Sequence, residues 1–157
     1  MRVRFWGTRG SIASPGPATN RFGGNTSCVE VTTLDGNLLV FDLGTGARPL
    51  GSTLMASGRR PLTGSIVLSH THWDHIQGFP FFAPLFLPGS LFKVYGPSGG
   101  RNSLEQVLTG QMEFTYFPVE LGQLPATITY HDLQETAALK AMLPRGSFAE
   151  LRSITAL

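Results

Sequence analysis

The stretch Ser65-Ile66-Val67-Leu68-Ser69-His70-Thr71-His72-Trp73-Asp74-His75 carries the most specific pattern in this chain. Its first four residues are typical of a short buried strand, and Pro61 and Gly64 precede them as turn signals. Three of the chain's four histidines and one aspartate then fall within six residues. Because a strand delivers the residues that follow it to one edge of a sheet, we expect this cluster at the carboxyl end of a strand.

The spacing of the four ionisable side chains indicates a metal centre. In an extended loop, residues two apart point the same way, so His70 and His72 can reach one ion, while Asp74 and His75 turn toward a second point. Imidazole and carboxylate are ligands of zinc and of neighbouring divalent metals. The sequence therefore predicts two divalent ions, zinc or alternatively manganese or another metal. Without a metal, four ionisable groups would crowd beside an apolar strand with nothing to organise them.

The pattern His70-x-His72-x-Asp74-His75 resembles the signature of the metallo-β-lactamase superfamily, H-x-H-x-D-H after a buried strand. Residues 5–11 (FWGTRGS) and 23–28 (GGNTSC) resemble its phosphodiesterase-like branch, which includes cyclic-phosphate phosphodiesterases and relatives of the tRNA 3′-end processing nucleases. Asp42 resembles the family's earlier aspartate. The resemblance implies that Asp42 buttresses the histidine loop and binds no metal.

The resemblance also implies a larger domain. The superfamily completes its two metal sites with a further histidine, a bridging aspartate and a last histidine. After the motif this chain has only His131, and residues 150–157 resemble the strand that would lead into the next ligand. We therefore expect residues 1–157 to be the N-terminal part of a single, incomplete αββα domain. Because His131 follows the alternating residues 126–130, a place on the solvent face of a strand is favoured over a role as a replacement ligand.

The resemblance implies a metal-dependent hydrolase, first of all a phosphodiesterase that uses hydroxide activated by two metals on a small cyclic or nucleotide-like phosphodiester. In this interpretation Asp74 also orients the attacking water as a base, and Asp42 accepts hydrogen bonds that fix the loop. Arg9, in a glycine-flanked loop, either approaches the substrate phosphate or serves as a structural ion-pair partner. Trp73 is expected to pack and shape the loop.

Other functions fit the same residues. A nuclease, a lactonase or a thioesterase could use the same metals, although the sequence shows neither the basic face nor the gripping arm of a nuclease. A noncatalytic metal-binding or regulatory module is an alternative of another class, because two neighbouring ligands per ion fall short of the number usual at zinc sites. A homodimer or a complementing C-terminal half would supply the missing ligands.

The composition is that of one globular domain in a reducing compartment. Of 157 residues, 14% are charged and the formal net charge is +2, which does not favour broad electrostatic binding to nucleic acid. Cys28 is the single cysteine, so it has no disulfide partner in the chain, and we expect it to be a small buried residue. The amino-terminal residues lack the apolar core of a signal peptide and no segment could span a membrane, so we expect a cytoplasmic protein.

Alternation, turn residues and caps predict an α/β layered architecture. Strands are expected over residues 2–6, 27–33, 38–42 and 91–95, with a hairpin turn at Asp35-Gly36-Asn37, and helices over 47–56 and after a Ser103–Gln106 capping box. Residues 76–87 are dense in phenylalanine and proline. This composition predicts equally well that the segment lines the metal site as a packed wall and that it simply fills the hydrophobic core.

Overall fold

The computed structural model of the chain describes residues 1–97 and 102–133. It contains strands β1 (Arg2–Gly7), β2 (Cys28–Thr32), β3 (Leu38–Phe41), β4 (Thr63–Val67), β5 (Leu91–Pro97) and β6 (Thr127–Leu133), and helices α1 (Ala47–Ala56), α2 (Trp73–Ile76) and α3 (Leu104–Gln111). Short 3₁₀ turns cover Pro17–Thr19, Phe79–Phe81, Ala83–Phe86 and Leu121–Gln123. The predicted α/β class is confirmed. The strand expected over 150–157, and with it the end of the expected domain, lies outside the described residues.

The six strands form one sheet in which spatial order follows chain order. β1, β2 and β3 are antiparallel neighbours, whereas β3, β4, β5 and β6 are parallel to one another. Parallel neighbours need crossover connections, and α1, the segment holding α2, and α3 supply them in turn. The carboxyl ends of β3 and β4 therefore meet at one edge of the sheet, and this edge receives both Asp42 and the histidine motif.

Local signals in the sequence fix the ends of these elements. The β2–β3 turn closes with the backbone N–H of Thr33 donating to the Asn37 carbonyl at 3.0 Å, and Gly36 takes a φ of +81° that favours glycine. At the start of α3, Ser103 and Gln106 form the reciprocal bonds of a capping box, at 3.2 and 2.8 Å. The predicted turn and the predicted cap are both confirmed.

The core lies between one face of the sheet and the helices. Val40, Ile66 and Val94 are side by side on β3, β4 and β5 and are fully buried. Leu50 of α1 and Leu108 of α3 join the same apolar cluster. Side chains on the other face are less covered, and Val3 and Phe5 on the edge strand β1 are exposed. The helices therefore cover one face of the sheet.

Residues 76–87 fill this core. Phe79, Phe82 and Leu85 are fully buried, and the ring of Phe82 meets that of Phe92 at a centroid distance of 5.7 Å in a T-shaped arrangement. Proline interrupts regular helix here, so the segment is built from two 3₁₀ turns. The interpretation of this segment as core filling is confirmed.

Among the described residues, no helix has both the length and the apolar character needed to cross a membrane.

Cys28 is predicted to be chemically silent in the folded protein. Burial, and then the nearby carboxylates of Asp42 and Glu30, raise the pKa of the Cys28 thiol to about 12. The thiolate is the form that reacts, so an aromatic disulfide reagent at pH 8 should modify no thiol in the native protein. After denaturation in guanidinium the same reagent should modify one thiol per chain. Stoichiometric reaction of the native protein would contradict the buried position.

Candidate metal centre

The carboxylate of Asp42 connects three separate parts of the chain. Asp42 follows β3 directly and is buried, with 7% of its surface exposed. Its Oδ1 accepts from the backbone N–H of Ser69 at 2.8 Å and from the Ser69 hydroxyl at 2.9 Å. Its Oδ2 accepts from the Ser27 hydroxyl at 3.0 Å and from Nδ1 of His75 at 2.8 Å. The carboxylate thus ties the ends of β3 and β4 to the start of β2 and to the histidine motif.

The contact with Asp42 determines that Nδ1 of the His75 ring carries a proton. A carboxylate only accepts hydrogen bonds, so Nδ1 of His75 carries the proton. In the neutral imidazole Nε2 then keeps its lone pair, and it points toward Asp74, with Nε2 and Oδ2 3.4 Å apart. A ring held through one nitrogen by a carboxylate and open at the other is the arrangement that metal-binding histidines use.

Three of the predicted ligands converge. His70, Asp74 and His75 each offer one donor atom, and these three atoms all lie within 4.8 Å of one another. The rings of His70 and His75 have centroids 3.9 Å apart. The convergence follows from α2, a single helical turn that brings Asp74 and His75 back toward the end of β4. A divalent ion needs such a set of imidazole and carboxylate donors, so the residues present fit the metal.

His72 lies beside this group. Its ring centroid is 4.6 Å from that of His70, at an interplanar angle of 84°. The residue is exposed and takes an extended conformation immediately before α2. The sequence assigned His70 and His72 to one ion and Asp74 and His75 to another, whereas the most compact group is His70, Asp74 and His75. The assignment of ligands to individual ions stays a prediction.

The loop after β1 reaches the motif through its backbone. The N–H of Ser11 donates to Oδ2 of Asp74 at 2.7 Å, and Ser11 has a φ of +68°, in the left-handed region. This hydrogen bond is the main reason that the pKa of Asp74 is lowered; the charges of His75 and His70 lower it further. Asp74 is therefore held as the carboxylate, the form that binds metal.

His70 is favoured in its neutral form. Partial burial is the first cause that lowers the pKa of its imidazole, and the neighbouring rings of His75 and His72 lower it further. A neutral imidazole is the form that donates a lone pair to a metal. The crowding of three histidines, read from their spacing alone, thus has a direct electrostatic consequence.

Glycines allow the backbones around the motif to touch. A Cβ on Gly44 would collide with the carbonyl oxygen of Asp74 and the hydroxyl of Thr26, and a Cβ on Gly78 would collide with the carbonyl oxygen of Gly44. Hydrogen bonds lock the same segments, since Leu43 N–H donates to the His75 carbonyl at 2.8 Å and Gly78 N–H to the Leu43 carbonyl at 2.8 Å. The backbone of the histidine motif, residues 70–75, is therefore held in direct contact with the backbone of the segment that follows β3.

Arg9 and His131 do not belong to the compact group. Arg9 is exposed, its backbone N–H donates to the Asn25 carbonyl at 3.0 Å, and it forms no ion pair among the described residues. His131 lies on β6, where its exposed ring stacks on Tyr95 at a centroid distance of 4.6 Å. The placement of His131 on the solvent side of a strand, expected from the alternation before it, is confirmed.

The expectation that Trp73 packs within the loop is wrong. Its side chain is 67% exposed. The physical reason is the brevity of α2, whose one buried residue is Ile76, so that the first position of the turn lies on the solvent side.

Sequence reasoning missed the serines of this site. Ser69 and Ser27 both donate to Asp42, and Ser11 holds Asp74 through its main chain. The available signal was position: Ser69 directly precedes the first histidine, and Ser27 and Ser11 lie in the two glycine-containing blocks near the amino terminus.

No known family model and no curated protein matches the sequence. Among solved structures, a diphosphatase from the PhnP family is similar, with 20% identity and a TM-score of 0.50 over 84% of this chain and 50% of that one. A protein from Thermotoga maritima described as a metallo-β-lactamase aligns with 15% identity and a TM-score of 0.42 over 85% of this chain and 60% of that one, which is too weak to add to the comparison.

The likeness to the diphosphatase confirms the predicted fold. The chain has a metallo-β-lactamase-type α/β architecture and spans about half the length of that solved structure. At this level of identity the comparison shows the fold alone.

Replacing Asp42 by Asn should weaken metal binding while leaving the fold intact. The amide is isosteric but keeps a single acceptor oxygen, so it cannot accept both from Ser69 on one side and from Ser27 and His75 on the other, and the group that holds the loop and His75 together is lost. Loss of such an outer partner typically costs about 10- to 100-fold in metal affinity. Titration with zinc in a competing chelator measures the change, with Asp35→Asn in the exposed β2–β3 turn as the control. An affinity unchanged in Asp42→Asn would contradict the role of Asp42.

Two glycine substitutions should have opposite effects on stability. Gly44→Ala forces a methyl group against the backbone of Asp74, and overpacking of this kind costs about 1–3 kcal/mol. Gly110→Ala, in α3, meets open space and should raise the free energy of unfolding by about 0.5–1 kcal/mol. Urea denaturation of both variants tests the pair. Equal stabilities of Gly44→Ala and the wild type would show that the two segments are not in contact.

Proposed function

We propose that the protein containing this chain is a metal-dependent hydrolase of phosphodiesters, with a small cyclic or nucleotide-like ester as its substrate. The observation that supports this most is the convergence of His70, Asp74 and His75, with donor atoms within 4.8 Å and with His75 oriented by Asp42. Histidine and aspartate in this arrangement select divalent transition metals. The diphosphatase with the same fold acts on phosphorus–oxygen bonds, which favours a phosphate ester as the substrate.

The residues that would hold metal are His70, His72, Asp74 and His75. A bound divalent ion lowers the pKa of water from 15.7 to about 7 and neutralises phosphoryl oxygens, so hydrolysis can proceed at neutral pH. We propose two ions, with zinc first and manganese as an alternative, because the sequence spacing assigns His70 and His72 to one ion and Asp74 and His75 to another. Four donors leave both ions short of a complete set.

The chain's own residues would orient the reaction. Asp42 keeps the proton of His75 on Nδ1, so Nε2 faces the metal centre. The Ser11 N–H fixes one oxygen of Asp74 at 2.7 Å, which holds the carboxylate in place to accept the proton of the attacking water. In this proposal Asp74 therefore serves as both ligand and base, and the loop after β1 fixes the orientation of its carboxylate.

Arg9 is the proposed substrate-binding residue. It lies two positions before Ser11 on the loop that contacts Asp74, and it is exposed. Its guanidinium can donate two parallel hydrogen bonds to a phosphate, the geometry for which arginine is suited. The alternative of a structural ion pair finds no partner in the described part of the chain.

The remaining metal ligands are proposed to come from elsewhere. The superfamily resemblance implies a further histidine, an aspartate and a last histidine, and the chain spans about half of the diphosphatase. We propose a complementing C-terminal part, in the same polypeptide or in a partner. A second copy of this chain is the other candidate source.

A histidine pair and a control histidine test the proposal. In the complete protein, replacing His70 and His72 by Ala should abolish metal binding and phosphodiester hydrolysis, because the first ion loses both imidazoles, while circular dichroism stays unchanged. His131→Ala should keep both metal and activity, since His131 lies on β6 outside the compact group. Metal content is measured by elemental mass spectrometry and turnover with bis(p-nitrophenyl) phosphate. Full activity in the double variant would refute the metal assignment.

A further inference from the structure

The two tryptophans of the chain have contrasting environments. Trp6 is half-buried, donates from Nε1 to Glu30 at 3.0 Å, and lies under the guanidinium of Arg4 at 3.9 Å. Trp73 is 67% exposed although it stands between two proposed metal ligands, His72 and Asp74. The packing of the described residues therefore accounts for Trp6 and leaves the indole of Trp73 at the surface.

Trp73 is one of the large apolar residues that are exposed on the two segments meeting at Asp74. Ile12 is 68% exposed and follows Ser11, whose N–H contacts Asp74, so its backbone lies next to the turn that carries Trp73. Phe22, also exposed, is on the same loop, and its carbonyl accepts from the Thr8 hydroxyl at 3.4 Å. The two segments that meet at Asp74 thus carry exposed apolar side chains.

The position of Trp73 relative to the ligands is fixed by the chain itself. Consecutive Cα atoms are about 3.8 Å apart, so the Cα of Trp73 is one peptide unit from the Cα atoms of His72 and Asp74. The backbone N–H of His75 donates to the His72 carbonyl at 2.9 Å and that of Gln77 to the Trp73 carbonyl at 2.8 Å, which keeps this turn closed. Among the exposed aromatic residues described, Trp73 is therefore the one that stands next in sequence to the proposed ligands.

We infer that Trp73 is a specificity-determining residue whose indole stacks on a flat aromatic group of the substrate, such as a nucleobase next to the scissile phosphate. The inference rests on the proposed function and narrows it to esters that carry an aromatic ring. Every nucleobase has a π-face, so stacking selects aromatic substrates as a class and does not distinguish one base from another. In this inference Arg9, two positions before Ser11, supplies charge, and Trp73 supplies the apolar surface.

The test uses the complete, metal-loaded protein and two ligands that differ only in the base. AMP should quench the fluorescence of the wild type and bind at least tenfold more tightly than ribose 5-phosphate, which carries the same phosphate on a sugar without a base. Trp73→Phe should keep the binding preference but lose most of the quenching, because the indole next to the base is then absent. Trp73→Ala should lose about tenfold or more in affinity for AMP, as truncation of a stacked aromatic side chain does, and nothing for ribose 5-phosphate.

A matched variant and a kinetic split complete the experiment. Phe114→Ala removes another exposed aromatic ring, in a groove lined by residues of α3 and β6 and by no residue of the histidine cluster, and it should change neither ligand's affinity. With diesters as substrates, Trp73→Ala should raise KM for an aryl ester and leave KM for an alkyl ester unchanged.

Equal affinities for AMP and ribose 5-phosphate, or an unchanged preference in Trp73→Ala, would overturn the inference, including the case in which another part of the protein covers Trp73. Absence of turnover on any phosphodiester would instead refute the proposed function, since the fluorescence titration with AMP needs no turnover.

Discussion

The hydrogen bonds of one buried carboxylate, that of Asp42, hold the histidine motif in position. Asp42 accepts from Ser69, Ser27 and His75, which belong to two segments distant from it in sequence, and it does so from a left-handed backbone conformation with a φ of +58°. Such a conformation is unfavourable for most residues other than glycine and asparagine or aspartate. The surrounding contacts maintain it because the carboxylate needs all of these donors once it is removed from water.

The second constraint is steric. At Gly44 and Gly78, the backbone after β3 is in direct contact with the end of the histidine motif. The motif therefore cannot move away from Asp42 without separating these two backbone segments. Together, the glycine contacts and the carboxylate hold the proposed ligands in a fixed arrangement. A preorganised set of donors loses little conformational entropy on binding metal, which favours affinity and fixes geometry at the same time.

Much of this arrangement was predictable from the sequence, because its signals are local. The period-two runs gave the strands, Ser103 and Gln106 gave a capping box, and the spacing of His70, His72, Asp74 and His75 predicted a metal centre at a strand's end. The convergence of Asp74 with Ser11 was not predictable, since it joins residues 63 positions apart through a backbone N–H that any amino acid would offer. Trp73 was misjudged because its exposure depends on the length of α2, which no residue pattern specified.

The order of the strands has a consequence for how the molecule is made. The strands β1 to β6 lie side by side in the order in which they are synthesised. When each strand leaves the ribosome, the strand with which it pairs has therefore already been synthesised. The sheet can therefore grow from one edge as the chain emerges. Asp42 is the exception: it leaves the ribosome before Ser69 and His75, and its carboxylate must remain hydrated until those donors arrive. The hydrogen bonds that Asp42 accepts from Ser69 and His75 therefore form only after β4 and the histidine motif have been synthesised.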